Sequence, residues 1–153
     1  LKDMDYKSLL TARWVAPAVN LPLDVTKSYM GDNRYLNGDF ALDSQGWSVG
    51  EVQFASQAPS QVASSIRVAS ELRTTKVATM QVELFNFQTN QYEQIGTRSI
   101  ILSDKSFEVT TPYGFGAGSV YVGPDREVRG KLKLRVATGG FKAYVDMIEL
   151  GFR

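Results

Sequence analysis

The residue types that most often perform catalysis are scarce in this sequence. Its 153 residues include no histidine and no cysteine, which removes the commonest general base, the usual zinc ligands, thiol nucleophiles and disulfides. Catalysis would therefore depend on carboxylates, as in a glycosidase, where two acidic side chains flank one bond. No spacing singles out such a pair among Glu51, Glu71, Glu83, Glu93, Glu108 and Asp146. We therefore expect that the protein is not an enzyme.

A row of aromatic side chains is the first candidate for ligand binding. Within residues 77–87, alternation places Phe85 and Phe87 on the face opposite Leu84, and Tyr92 follows after a short turn. An exposed aromatic row on a sheet can stack sugar rings. The same row can also be covered by the protein's own chain or by a partner. The sequence leaves these three interpretations open, with intramolecular cover favoured.

A glycine-rich segment, residues 111–119, is the second candidate. It carries Tyr113 and Phe115 between glycines, and glycines give such loops conformational freedom. It lacks the strand–loop–helix context of a phosphate cradle, which argues against nucleotide binding. The segment is therefore a plain connecting loop or the lip of a ligand site.

The charged residues argue against several partners. The net charge is +1, with 22% charged and 43% hydrophobic residues, so duplex nucleic acid is an unexpected partner. No apolar run approaches the roughly 18 residues that cross a bilayer, so we expect no membrane insertion. A basic ridge could meet an acidic polymer, although outward charges also keep a sheet soluble. It consists of Arg126, Arg129, Lys131, Lys133 and Arg135.

Short alternating segments joined by polar turns predict an all-β fold. The pattern becomes regular from Tyr35 and ends with Phe141–Phe152. Trp47–Ala55 alternates within it, and Gly50 could mark a bulge there. Val62 is read as part of the second strand of this region, and residues 131–136 alternate cleanly. We expect a β-sandwich of about eight to ten strands.

The first thirty residues have a different character. A short helix could form at Asp3–Ala12, and residues 13–28 are apolar but interrupted by prolines. No basic-then-apolar leader begins the chain, so we expect a processed chain or a piece of a longer one. We predict an extended N-terminal arm at residues 1–30 and a sandwich domain at residues 31–153. The arm could dock on its own sandwich or on a neighbour through Leu9, Leu10, Trp14, Val15, Val19, Leu21 and Leu23.

Two motifs resemble one known family. The segment 35–40 (YLNGDF) with 46–49 (GWSV), and the closing segment 144–150 (YVDMIEL), are similar to the first and last strands of galactose-binding-like jelly rolls. That family includes many carbohydrate-binding modules, and residues 81–87 and 92–96 are similar to repeats of bacterial secreted and surface proteins. The resemblance covers roughly residues 35–152 and implies a jelly-roll β-sandwich of two antiparallel sheets.

The resemblance also raises the question of calcium. Many members hold a structural calcium with a glutamate directly after the "DF" pair and with the aspartate of the last strand. Ala41 occupies the glutamate position here, whereas Asp39 and Asp146 remain. Calcium prefers six to eight oxygen ligands, so the loss of a carboxylate weakens such a site. The nearby Asp32, Asn33, Asn37 and Asp43 could form a calcium loop with Asp39, although turn chemistry is the favoured interpretation. We expect no cofactor, with calcium at Asp39 and Asp146 as the alternative.

Two functions are compatible with these features. The first is a non-catalytic extracellular or cell-surface subunit that assembles with itself or with neighbouring proteins, in a surface layer, an appendage or a virion. The second is a carbohydrate-binding module of a larger secreted polysaccharide-active protein. The arm favours the first, and the jelly-roll motifs favour the second. A jelly roll by itself does not decide between them.

Overall fold

Alternating side chains form strands over most of the chain. The computed structural model describes residues 4–16, 19–23, 36–40, 48–103, 105–137 and 140–153. Within these residues, eleven strands pair into two antiparallel sheets. Their bounds are β1 Asp5–Ser8, β2 Thr11–Ala16, β3 Val19–Leu23, β4 Leu36–Phe40, β5 Ser48–Gln57, β6 Ile66–Thr74, β7 Ala78–Asn86, β8 Gln91–Ile100, β9 Lys105–Thr110, β10 Glu127–Val136 and β11 Phe141–Phe152. Two short 3₁₀ turns, Ser119–Tyr121 and Pro124–Arg126, precede β10.

The two sheets form the predicted jelly-roll sandwich. The six-stranded sheet has the order β3-β2-β5-β10-β7-β8. The five-stranded sheet has the order β1-β11-β6-β9, and β4 also pairs with β11. The prediction of an all-β sandwich of two antiparallel sheets is confirmed. The strand count exceeds the expected eight to ten because residues 5–23 contribute three strands.

The core lies between the inner faces of the sheets. Every second residue of β7 is buried, as is every second residue of β10, which is the period of a strand with one face on a core. Met80, Leu84, Leu132 and Leu134 have no exposed surface, and Ile148 joins them from the other sheet. The opposite face of β7 and β10 therefore points away from the core, which leaves its side chains available for other contacts.

The N-terminal segment is part of the sandwich. The helix expected at Asp3–Ala12 does not form, because β1 pairs with β11 and β2 pairs with both β5 and β3. Leu9 crosses from one sheet to the other with 2% of its surface exposed. The boundary proposed at residues 30 and 31 lies outside the described residues.

Two smaller expectations also differ from the structure. The register between β5 and β10 is continuous past Gly50, so no bulge forms there. Val62 precedes the strand in which it was expected, and 60% of its surface is exposed. The loop that holds Val62 is fixed instead by Ala63, whose N–H donates to the Ser119 hydroxyl over 3.0 Å.

Candidate functional site

Three aromatic rings meet on the outer face of the six-stranded sheet. Phe85 and Tyr92 are cross-strand partners in the β7–β8 hairpin, and their ring centroids lie 5.2 Å apart with the planes at 75°. Phe87 lies 5.0 Å from Phe85 at 77°. Edge-to-face geometry is favourable for aromatic pairs. All three rings are partly buried and lie on the face predicted from the alternation. We call them the aromatic cluster.

Two cations from the neighbouring strand β10 lie over the aromatic cluster. The Arg129 guanidinium is 5.5 Å from the Phe85 centroid and 5.4 Å from the Phe87 centroid. The Lys131 ammonium is 4.2 Å from the centroid of Tyr92. These distances are within the range of cation–π attraction. Arg129 and Lys131 of the basic ridge thus lie on the same surface as the aromatic row.

Carboxylates on the same face pair with both cations. The Lys131 ammonium lies 3.7 Å from a Glu51 carboxylate oxygen, and both side chains are largely buried. Glu51 also accepts a hydrogen bond of 2.9 Å from the Gln53 amide. Arg129 pairs with Glu127. The charges of Lys131 and Arg129 are therefore largely compensated within the site.

The Tyr92 hydroxyl keeps its proton in this environment. Burial raises the pKa of Tyr92, and the nearby carboxylates of Glu51, Glu83 and Glu127 raise it further, against an opposing effect of Arg129. The phenol therefore remains neutral throughout the physiological pH range. A neutral hydroxyl can both donate and accept a hydrogen bond.

A groove of about 430 Å³ runs beside these side chains. Its walls come from the chain around β2, from β5, from the start of β10 and from Tyr92 of β8. The lining residues are Leu10, Thr11, Ala12, Arg13, Gln53, Phe54, Ala55, Tyr92, Glu127 and Arg129. Tyr92 is the member of the aromatic cluster that lines the groove. It lies there with Gln53, Glu127 and Arg129, whose side chains are already paired. This suits an uncharged ligand that has apolar faces and many hydroxyl groups.

Several groove residues were not singled out from the sequence. Arg13, Gln53 and Glu127 lie on three strands that are far apart along the chain. Cross-strand pairing aligns Arg13 with Gln53, and Gln53 with Lys131. Only the strand order brings these residues together. Alternation within one strand could therefore show which face of the sheet each side chain lies on, but not which residues of other strands lie beside it.

The other predicted ligand residues lie on the loop after β9. Tyr113 has 71% of its surface exposed and Phe115 is fully exposed. The Arg153 guanidinium lies 6.0 Å from the Tyr113 centroid. The aromatic cluster therefore uses three of the five predicted ligand residues, and the loop presents the remaining two separately to solvent.

The predicted arm residues have mixed positions. Leu9 and Trp14 are each 2% exposed and belong to the core, whereas Leu10 is 60% exposed and Val15 is partly buried. The backbones of Val19, Leu21 and Leu23 form β3, which pairs with β2. Leu9 and Trp14 thus dock on the protein's own sandwich, which is the first of the two roles considered for the arm.

The two predicted calcium ligands lie in or beside β11. The backbone of Asp39 in β4 pairs with Lys142. Asp146 is fully buried at a register shift between Val145 and Met147. Within the part of the chain that the structure describes, no group of three or more His, Cys, Asp or Glu residues could hold a metal ion. Calcium at Asp39 and Asp146 stays a prediction.

This chain is similar to several solved structures. No protein-family model matches the chain, and no curated protein matches it. TmCBM61, solved in complex with beta-1,4-galactotriose, is 12% identical over 95% of this chain and 91% of its own, with a TM-score of 0.54. A CBM4 structure is 9% identical over 78% of each chain, with a TM-score of 0.45. Bacteriophage CBA120 tailspike protein 4 is 9% identical over 84% of this chain and 21% of its own, with a TM-score of 0.47. The resemblance to carbohydrate-binding-module-like jelly rolls is confirmed for the fold.

Proposed function

We propose that this chain is a non-catalytic carbohydrate-binding module that holds a neutral polysaccharide in the groove beside the aromatic cluster. The observation that carries the proposal is the position of the aromatic cluster. Phe85, Phe87 and Tyr92 meet on an outer sheet face next to a groove of about 430 Å³. Pyranose rings have apolar C–H faces and hydroxyl edges, which match aromatic faces and planar polar side chains.

The polar side chains of the site can serve the hydroxyl edges. Gln53 lines the groove and already donates a hydrogen bond to Glu51, so a sugar meets its side chain without much loss of side-chain entropy. Arg129 is about half exposed and lies over two rings. A sugar ring therefore competes with this guanidinium for the ring faces, and the displaced guanidinium can donate to its hydroxyls.

The fold likeness supports this function but does not select the sugar. TmCBM61 shares the sandwich and is itself seen with beta-1,4-galactotriose. For the present chain, β-1,4-linked galactan is accordingly the first probe. An extracellular location belongs to the same proposal, because the polysaccharide would be met outside the cell. No helix of the described residues is long and apolar enough to span a membrane.

The alternative of self-assembly has less support. It depended on an apolar arm, but Leu9 and Trp14 of that arm are buried in the chain's own core. They would have to leave the sandwich in order to reach a neighbour. Light scattering over a range of concentrations separates the two functions, because a module that only binds glycans stays monomeric and an assembling subunit grows with concentration.

Isothermal titration against soluble polysaccharides tests the proposal. Galactan, mannan, xylan and mixed-linkage glucan would be titrated into the unmodified chain and into Phe87→Ala and Tyr92→Ala. We expect affinity for at least one neutral polymer, and a loss of at least tenfold in each variant, about 1.4 kcal/mol. An aromatic residue in a binding site often contributes this much.

Val77→Ala is the matched control, because Val77 is 66% exposed and lies before β7, away from the residues that line the groove. It should bind like the unmodified chain. Circular dichroism would establish that all variants keep their strands. If a polymer binds equally well to Tyr92→Ala, Phe87→Ala and Val77→Ala, the groove is not the binding site. If no polymer in the panel binds, the carbohydrate function itself is rejected.

A further inference from the structure

The loop after β9 is fixed to the sandwich by hydrogen bonds. The Thr111 N–H donates to the Ile66 carbonyl, and the Ile66 N–H donates to the Thr111 hydroxyl, both over 2.9 Å. Further along, the Gly114 N–H donates to the Ser64 carbonyl over 3.1 Å. These hydrogen bonds hold the loop backbone against the sandwich, while its large side chains, Tyr113 and Phe115, are exposed.

Its exposed aromatic side chains cannot be explained by packing. Phe115 is fully exposed, Tyr113 is 71% exposed, and Val62 on the adjoining loop is 60% exposed. Burying a phenylalanine side chain is worth about 1.5–3 kcal/mol relative to leaving it in water. Exposed apolar residues mark a contact site when they lie together rather than singly. Tyr113 and Phe115 lie on a loop whose backbone is hydrogen-bonded to the loop of Val62 at Ala63 and Ser64.

A small cavity opens beside this loop. It measures about 270 Å³ and is lined by Asp5, Pro59, Ser60, Val62, Ala63, Phe152 and Arg153. Arg153 belongs to this cavity and also lies over the Tyr113 ring. A carboxylate, a hydroxyl and a guanidinium thus surround a space with apolar walls, next to an exposed aromatic ring.

We propose that this loop and cavity form a second binding site, for a single pyranose unit. Its volume is below the roughly 300–1,000 Å³ of sites for drug-sized ligands, so one sugar ring fits better than a chain. Asp5, Ser60 and Arg153 line the cavity and offer hydrogen-bond partners for hydroxyls. The Tyr113 ring lies beside Arg153 at the edge of the cavity, and Phe115 follows two residues later on the same loop. The inference concerns a different surface from the groove and does not require the groove to bind.

A sugar suits this surface better than a protein or a membrane. Three exposed side chains, at 150–250 Å² for each aromatic residue, fall well short of the roughly 800 Å² per partner of a stable protein interface. Peripheral membrane binding gains from a cationic face, but the cavity has one arginine and one aspartate. The mixed polar and apolar lining instead corresponds to a sugar.

Amide chemical shifts test the site directly. The full-length ¹⁵N-labelled chain would be titrated with the methyl β-glycosides of galactose and glucose and with methyl α-mannoside. The amides of Gly114 and Gly118 lie on the loop and serve as its reporters. We expect shifts at these amides with at least one glycoside, at a dissociation constant in roughly the millimolar range, and at least tenfold weaker binding by Tyr113→Ala.

Two further variants keep the outcome clear. Phe115→Ala removes a fully exposed side chain, so it should fold normally and weaken the glycoside several-fold. Tyr92→Ala alters the aromatic cluster and should leave the loop shifts unchanged, which separates this site from the groove. The inference is overturned if no glycoside shifts the loop amides, if Tyr113→Ala binds as tightly as the unmodified chain, or if only phosphatidylcholine–phosphatidylserine vesicles perturb the loop.

Discussion

At the residue scale, Glu149 is a carboxylate in an unfavourable environment. Burial raises the pKa of Glu149 above its ordinary value of 4.5, and the neighbouring Glu108 raises it further. Glu108 itself lies 3.6 Å from Arg67, so that guanidinium is already engaged. The fold therefore favours the protonated form of Glu149, and ionisation at neutral pH costs stability.

The sign of this effect gives a prediction for Glu149→Gln. Because the pKa of Glu149 is raised on folding, the folded chain binds more protons at this carboxyl than the unfolded chain. Protonation of Glu149 therefore stabilises the fold fully below pH 4.5, and this stabilisation is lost as the pH rises through the folded pKa. We expect Glu149→Gln to melt at a higher temperature than the unmodified chain at neutral pH. The difference should vanish in acid, and thermal melts followed by circular dichroism over the pH range would measure it.

Glu108→Gln is the informative companion variant. It relieves the same repulsion but gives up the ion pair with Arg67, so its gain at neutral pH should be smaller than that of Glu149→Gln. An equal melting temperature of Glu149→Gln and the unmodified chain at neutral pH would show that solvent screening removes the cost.

At the element scale, the N-terminal strands act as core elements. Leu9 lies between β1 and β2 and is 2% exposed, whereas its neighbour Leu10 is 60% exposed. The two residues have the same side chain and adjacent positions, so they form a matched pair. We expect Leu9→Ala to lower the free energy of unfolding by about 2–5 kcal/mol and Leu10→Ala to change it by less than about 0.5 kcal/mol. Urea denaturation of both variants would measure the difference, and equal losses would contradict the core role of β1 and β2.

The strands of residues 48–152 could be predicted because each shows its own period. β7 and β10 alternate apolar and polar residues over nearly their whole length, and a period of two identifies a half-buried strand without knowledge of its neighbours. The same alternation placed Phe85 and Phe87 on the outer face. Properties that belong to a single strand were therefore accessible from the sequence.

Properties that depend on pairing between distant strands were not accessible. Residues 5–16 contain no long alternation, and their strands are stabilised by pairing with β11 and β5, which lie far along the chain. The contacts of Lys131 with Glu51 and Tyr92 likewise require that β10 lies between β5 and β7. Tertiary pairing overrides local propensity in both cases. The composition of the groove followed from strand order rather than from any motif.

At the scale of the whole molecule, the balance of charge distinguishes between neutral and acidic polysaccharides. The net charge is +1, and the two cations over the aromatic cluster pair with Glu51 and Glu127. A site that binds an anionic polymer would present unpaired cations and would lose affinity steeply with salt. The paired charges here favour a ligand without charge.

Salt dependence therefore tests how the whole surface is used. We expect affinity for a neutral polysaccharide to change by less than about twofold between low salt and an ionic strength of about 1 M, where the Debye length is only about 3 Å. Polygalacturonate, an acidic polysaccharide, should bind weakly at low salt and should not bind at high salt. Lys133→Gln removes one outward cation of β10 and should affect polygalacturonate alone. The opposite result would be that polygalacturonate binds more tightly than every neutral polymer and that Lys133→Gln abolishes this binding. Only an electrostatic surface would show both effects together, so the basic ridge and not the aromatic cluster would then govern recognition.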